Sequence, residues 1–176
     1  MAALRDWWRK RSTEPLPVYA SSETIAGVMR RFRRLDHCRF VAVRTGRARR
    51  IGAYMVRSVT VPHARERHYP TFAWRLETGD RSLVYASDVA RLTPELERLS
   101  AGADVLVIDG AMWRRQLFSH LTIDRELPRL CRWRVGRILL TQIGKTAPPH
   151  ERLAREARRL CPRAAPACDG LEVPVG

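Results

Sequence analysis

Residues 103 to 109 read Ala-Asp-Val-Leu-Val-Ile-Asp, a continuous apolar run with a carboxylate at its end. A strand of that composition has no polar face to give to water, so it is expected in a sheet covered on both sides. A second run of this kind, Val135 to Thr141, carries Ile138, Leu139 and Leu140. Strands buried on two faces require other elements packed over both, which excludes a lone antiparallel hairpin layer and points to an α/β protein.

The flanking segments supply those elements. Thr93-Pro94-Glu95 starts a helix, with Thr93 as cap, Pro94 at the first helical position, Leu96 and Leu99 turned inward and Gly102 as the stop. A further helix is expected over Thr122 to Trp133, and Pro148-Pro149 introduces a last one that runs through Leu160. Upstream, Leu16 to Ala20 reads as a short strand. Ser21 or Ser22 then caps a helix over residues 21 to 34, in which Ile25, Val28, Met29 and Phe32 recur at three- to four-residue spacing. Between Arg39 and Thr60 the pattern alternates through Phe40, Val41 and Val43, then Ile51, Tyr54, Val56 and Val59. With Gly46 between the two runs, it predicts a hairpin or meander. Thr71 to Glu77 and Ser82 to Ala86 form a second hairpin about Thr78-Gly79-Asp80, whose glycine supplies the positive φ of a tight turn. Hairpins in the first half, and helices alternating with strands in the second, predict a mixed sheet with helices packed on it.

The chain has 176 residues and is expected to form a single domain over 1–176. No apolar run approaches the roughly 18 to 20 residues that span a bilayer. The first residues, with Asp6 among Trp7, Trp8, Arg9 and Lys10, lack the apolar core of a signal peptide. Cys38, Cys131, Cys161 and Cys168 show neither CxxC nor CxxH spacing, so they read as buried free thiols rather than as a zinc knuckle or redox dithiol. These features together predict a cytoplasmic protein with no membrane partner. The net charge is +15, and it is uneven: residues 1 to 60 carry 14 Lys and Arg against 4 Asp and Glu, the remainder 19 against 14. Arg30, Arg31, Arg33 and Arg34, with Arg47, Arg49 and Arg50, are either a patch for nucleic acid or another polyanion, or a solvated helix face and hairpin tip. Only Lys10 and Lys145 are lysines among 33 basic residues, and a GC-rich genome alone would produce such an arginine preference.

Polar residues directly after strands are where α/β folds assemble sites. Three stand out: His63 in Val61-Pro62-His63-Ala64, Asp88 after Leu83 to Ser87, and Gln142 in Leu139-Leu140-Thr141-Gln142. Each also has an ordinary structural role open to it, His63 and Asp88 as loop caps and Gln142 as a partner for loop backbone.

The Val-Pro-His63-Ala step, the Tyr85-Ala-Ser-Asp88 turn, the Val107-Ile108-Asp109 strand, the His120-Leu121-Thr122 loop and the Leu-Leu-Thr141-Gln142-Ile143 strand end stand in one order. In that order and spacing the chain resembles the metallo-β-lactamase superfamily, in the branch of ribonuclease Z and the cyclic phosphodiesterases of phosphonate metabolism. The resemblance runs from Pro17-Val18-Tyr19 to Asp169-Gly170-Leu171-Glu172-Val173. It implies a partial αββα sandwich with mixed β-sheets, helices outside and N-terminal strands missing. It further implies that His63 binds one metal ion, that Asp88 bridges two, and that His120 serves as general acid for the leaving group. For His120 a surface-loop histidine is the competing reading. In a complete family member the metal is zinc or manganese, which activates a water and clamps the oxygens of a displacement at phosphorus.

The chain departs from that pattern in two places. The HxHxDH motif is absent, since His37, His63, His68, His120 and His150 do not have that spacing, and Gln142 stands where the family has histidine. A neutral amide is a poor zinc ligand, and a catalytic zinc takes about three protein ligands, so less than one tightly held zinc is expected. A truncated gene or late start codon would explain the missing motif, and a metal-free, non-catalytic descendant would explain both losses. Two functions follow: a phosphodiesterase-type metal-dependent hydrolase that is inactive as this chain alone, acting on a phosphodiester small molecule or nucleic acid, or a non-catalytic polyanion-binding module on the same fold. The missing strands are expected to leave an open sheet edge that favours a homodimer.

Overall fold

The structure, a computed structural model, describes residues 8, 10–32, 35–63 and 69–175. Arg33 and Arg34 of the first arginine run, and His68, lie outside the described residues. The chain divides into two compact units, Met1–Arg44 with Glu66–Pro70, and Thr45–Arg65 with Thr71–Gly176.

In the first unit, β1 (Leu16–Ala20) is followed by α1 (Ser22–Arg31) and β2 (Cys38–Ala42). The Ser21 hydroxyl caps α1 by accepting from the Thr24 amide at 3.1 Å. Strands β1 and β2 pair in parallel, Val18 opposite Phe40. This corrects the hairpin expected between residues 39–43 and 51–59. Parallel strands need a crossover between them, and α1 is that crossover, so β2 takes its partner from before the helix rather than from beyond Gly46. The apolar stripe of α1 is only half covered: Ile25 and Val28 are half-buried, while Met29 is 61% and Phe32 46% exposed.

The second unit holds a seven-stranded sheet in the order β3 (Arg49–Ile51), β4 (Tyr54–Val61), β5 (Thr71–Thr78), β6 (Arg81–Ala86), β7 (Ala103–Asp109), β8 (Val135–Thr141) and β9 (Ala164–Pro166). From β3 to β6 the neighbours are antiparallel, and from β6 to β9 they are parallel. The hairpins β3–β4 and β5–β6 each close through two residues, Gly52-Ala53 and Gly79-Asp80. In both, the leading glycine has positive φ, 57° and 58°, a conformation that suits the strand twist and that a β-carbon would oppose.

Helices α2 (Pro94–Ser100), α3 (Ile123–Leu130) and α4 (His150–Leu160) complete the unit. Thr93 caps α2 as expected, its hydroxyl accepting from the Leu96 amide at 3.2 Å, with Leu96 and Leu99 buried. The register stacks Val84, Leu106 and Ile138 in one row and Ala86, Ile108 and Leu140 in the next, all fully buried. They share one hydrophobic core with Leu96, Leu121, Ile123, Leu127, Leu130 and Leu153. Each such Leu or Ile contributes about 1.5–3 kcal/mol by its removal from water. On the opposite face Trp74, Tyr85, Val107 and Leu139 share a row and are half-buried or exposed, which is why β7 is apolar on both sides. The outer edge of β9 offers little to a further strand, because Pro166 has no N–H and the Ala164 amide donates to Cys161 O at 2.9 Å. Among the four free thiols only Cys161 is fully buried, and Cys168 is exposed, which corrects the uniform burial expected of them. Among the described residues no helix is long and apolar enough to cross a membrane.

Glu156 on α4 ties that helix to the loop after β7. Its carboxylate accepts from Arg152 Nε at 2.7 Å, Trp113 Nε1 at 2.9 Å and Arg114 Nη2 at 3.2 Å. The Arg152 hydrogen bond, aided by Trp113 and by the charge of Arg114, holds the Glu156 carboxyl below its ordinary pKa. A carboxyl depressed on folding stabilises the native state above its unfolded pKa, and that contribution disappears as pH falls through the folded value. Glu156→Gln is therefore expected to destabilise the protein at neutral pH, with the difference shrinking as the solution is acidified below the carboxylate range. Urea unfolding across that interval checks the trend.

Candidate functional site

Strands β4 and β6 both run antiparallel to β5, and β7 and β8 run parallel to β6. All four carboxyl ends therefore open at one rim of the sheet, where α/β folds place ligands. His63 lies two residues beyond β4, Asp88 two residues beyond β6, Asp109 is the last residue of β7, and Gln142 follows β8. The loops after β4 and β6 are joined by the Ala90 amide, which donates to Pro62 O at 2.7 Å.

His63 Nδ1 is 2.7 Å from the Ser119 carbonyl oxygen. A carbonyl only accepts, so Nδ1 carries the proton and the neutral ring keeps its lone pair on Nε2. That nitrogen stands 3.7 Å from Asp88 Oδ1. The other Asp88 oxygen accepts from the Ser87 hydroxyl at 2.7 Å. Two ligands bonded to one zinc ion at about 2.0–2.2 Å stand no more than about 4.3 Å apart, so this pair fits a shared divalent ion.

His120 is anchored the same way by a different acceptor. Its Nδ1 is 2.7 Å from Asp109 Oδ2, and Asp109 is fully buried. Asp109 Oδ2 also accepts from the Val89 amide at 3.0 Å, and Oδ1 accepts from the Ala111 amide at 2.9 Å. A carboxylate behind an imidazole fixes the tautomer and the orientation of the ring. The two imidazoles meet edge to face with centroids 5.1 Å apart.

The structure thus brings His63, Asp88 and His120 into one cluster and puts Gln142 on the same rim. Gln142 is the one non-glycine residue with positive φ, 56°, among the described residues. That conformation costs an L-residue roughly 1–2 kcal/mol. Among the described residues its side chain makes no hydrogen bond. No group of three or more His, Cys, Asp or Glu side chains among the described residues is arranged to hold a metal ion. Asp109 is the residue of this cluster that sequence reasoning did not single out as a site candidate. Its signal was the carboxylate closing an otherwise apolar strand, since a buried carboxylate must find donors.

A mixed sheet with helices over its core face, and histidines and an aspartate at its carboxyl rim, is consistent with a metallo-β-lactamase-fold protein. Solved structures agree. YhfI from Bacillus subtilis, a metallo-beta-lactamase fold protein, superposes with a TM-score of 0.73 at 17% identity, over 94% of this chain and 67% of that one. Zinc-bound PqqB from Methylobacterium extorquens gives 0.74 at 21% identity, over 97% of this chain and 68% of that one. A diphosphatase from the PhnP family gives 0.74 at 21%, over 88% of this chain, which spans 56% of that protein. The chain belongs to the family described as the beta-lactamase superfamily domain, whose model matches residues 1–143. No curated protein matches it significantly in sequence.

Proposed function

We propose that the chain carries part of a phosphodiesterase-type hydrolytic site that depends on a divalent metal, and that its own donors hold the ion weakly. The observation that carries this reading is the 3.7 Å approach of His63 Nε2, deprotonated in the neutral ring, to Asp88 Oδ1. His63 and Asp88 are the residues that would hold the ion, which in its bound state supplies an activated water and a clamp on phosphoryl oxygens. His120 moves the proton. Its protonated Nε2 is the donor to a leaving oxygen, and Asp109 at Nδ1 stabilises the imidazolium and keeps the ring in place. The diphosphatase among the similar structures supports a phosphorus-centred substrate.

With two donors where about three are usual, the chain is expected to purify with less than one tightly held zinc. Hydrolysis of bis(p-nitrophenyl) phosphate is expected to be feeble, to need added zinc or manganese, and to vanish in His63→Ala. His120→Ala is expected to lower it by about 100-fold or more. Stoichiometric dinuclear zinc in the dialysed protein contradicts the donor count, and metal binding unaffected by His63→Ala contradicts the site.

A second reading has one observation in its favour: Arg47, Arg49 and Arg50 are all exposed. A non-catalytic module holding RNA, DNA or another polyanion on these residues binds with a steep salt dependence, and an absent or salt-insensitive interaction rejects it.

A further inference from the structure

We infer that the groove between strand β9, helix α4 and residues 168–173 is a second binding site, one that takes an aliphatic carboxylate of the fatty-acid kind. The groove has a volume of about 580 Å³, within the range of ordinary small-ligand sites. None of the residues lining it belongs to the cluster at the carboxyl rim, so the inference stands independently of the metal pair. Its floor is aliphatic: Leu139 on β8, Ala154 on α4, Ala165 on β9 and Leu171 line it, and among the described residues no Phe, Tyr or Trp does. Such a floor favours methylenes over flat rings.

The charge of the groove has one sign except at Glu172. Arg137 on β8, Arg158 on α4 and Arg163 in the turn before β9 line it, with His150 at the start of α4. Arg163 gives its Nη donors to the carbonyls of Cys131, Val135 and Trp133, so its charge is held in a fixed place. Arg137 and Arg158 are exposed and make no hydrogen bond or ion pair among the described residues. The helix dipole accounts for Arg158, which stands in the last turn of α4. No dipole accounts for Arg137, the third residue of a strand, which shares a face of β8 with Leu139 two residues on.

Like charges gathered in one cleft repel each other, and its low-dielectric walls focus their field on whatever lies between them; an anion relieves that repulsion. A carboxylate accepts two hydrogen bonds from a single guanidinium, and the chain behind it covers the floor. A nucleic acid strand would need stacking faces, which this floor does not offer.

The test is calorimetric titration of the full chain in buffer containing EDTA, which keeps a metal ion from recruiting the carboxylate at the other site. Three probes are compared: octanoate, butyrate with the same head and a shorter chain, and 1-octanol with the same chain and no charge. Octanoate is expected to bind about 10- to 100-fold more tightly than butyrate through its extra methylenes. It is expected to bind about 10-fold more tightly than octanol through its charged head. Arg137→Gln combined with Arg158→Gln should bring octanoate to the level of octanol, and the same two positions changed to lysine should keep most of the preference. Ala154→Glu, which sets a carboxylate in the groove, should weaken octanoate and leave octanol nearly unchanged. Arg81→Gln combined with Arg98→Gln removes two guanidiniums that do not line the groove and should leave octanoate binding intact. The arginines exchanged in the groove are exposed and unbonded, so those variants are expected to melt with the wild type. Octanoate no tighter than butyrate or octanol, a preference that survives the glutamine pair, or an equal loss in the Arg81 and Arg98 variant overturns the site, as does the absence of binding.

Discussion

Replacing Asp109 by alanine is expected to lower the unfolding free energy by about 3–5 kcal/mol, because the buried amides of Val89 and Ala111 and the Nδ1 proton of His120 all lose their acceptor. For a chain of this size that corresponds to a fall in Tm of roughly 6–20 °C. Asp109→Asn is the informative companion. It keeps the shape and one acceptor oxygen, and it turns an NH2 toward groups that are themselves donors, so a loss of intermediate size is expected. Chemical denaturation of the three proteins measures the order. A change of less than about 1 kcal/mol for alanine would mean that Asp109 does not hold the loops together.

The second large effect is a gain. Gln142→His puts an imidazole at the rim position where the sequence resemblance implies a histidine, in a backbone conformation that histidine tolerates better than glutamine does. If Gln142 marks a lapsed ligand position, the third donor is expected to strengthen zinc binding by more than the roughly 10- to 100-fold that an outer-shell partner contributes. Competition against a chromophoric chelator reads the change. The gain should vanish in the double variant with His63→Ala. An unchanged affinity in Gln142→His would show that position 142 does not reach the ion.

The second unit was the more legible part of the chain. Strands β7 and β8 and helices α2 and α4 match the segments read from apolar runs, from Thr93-Pro94 and Gly102, and from the prolines at 148 and 149. Buried strands and capped helices announce themselves locally. The pairing of β2 was not legible, because alternation in Phe40, Val41 and Val43 states that a strand exists without naming its neighbour. The predicted helix over Thr122 to Trp133 is shorter, Ile123–Leu130, and Cys131 caps its end. At the site, strand ends in order pointed to His63, Asp88 and Gln142, and the shared direction of β4, β6 and β8 explains why they open at one rim. The hub role of Asp109 was hidden, since its three donors come from residues 89, 111 and 120, which only the folded chain brings together.

His63 and Asp88 are proposed as a ligand pair for one divalent ion. Anomalous diffraction from crystals soaked in zinc or manganese tests the pairing most directly. The expected result is a peak within bonding distance of both His63 Nε2 and Asp88 Oδ1, absent in His63→Ala. A metal bound elsewhere on the chain, with these two side chains still facing each other unbridged, contradicts it.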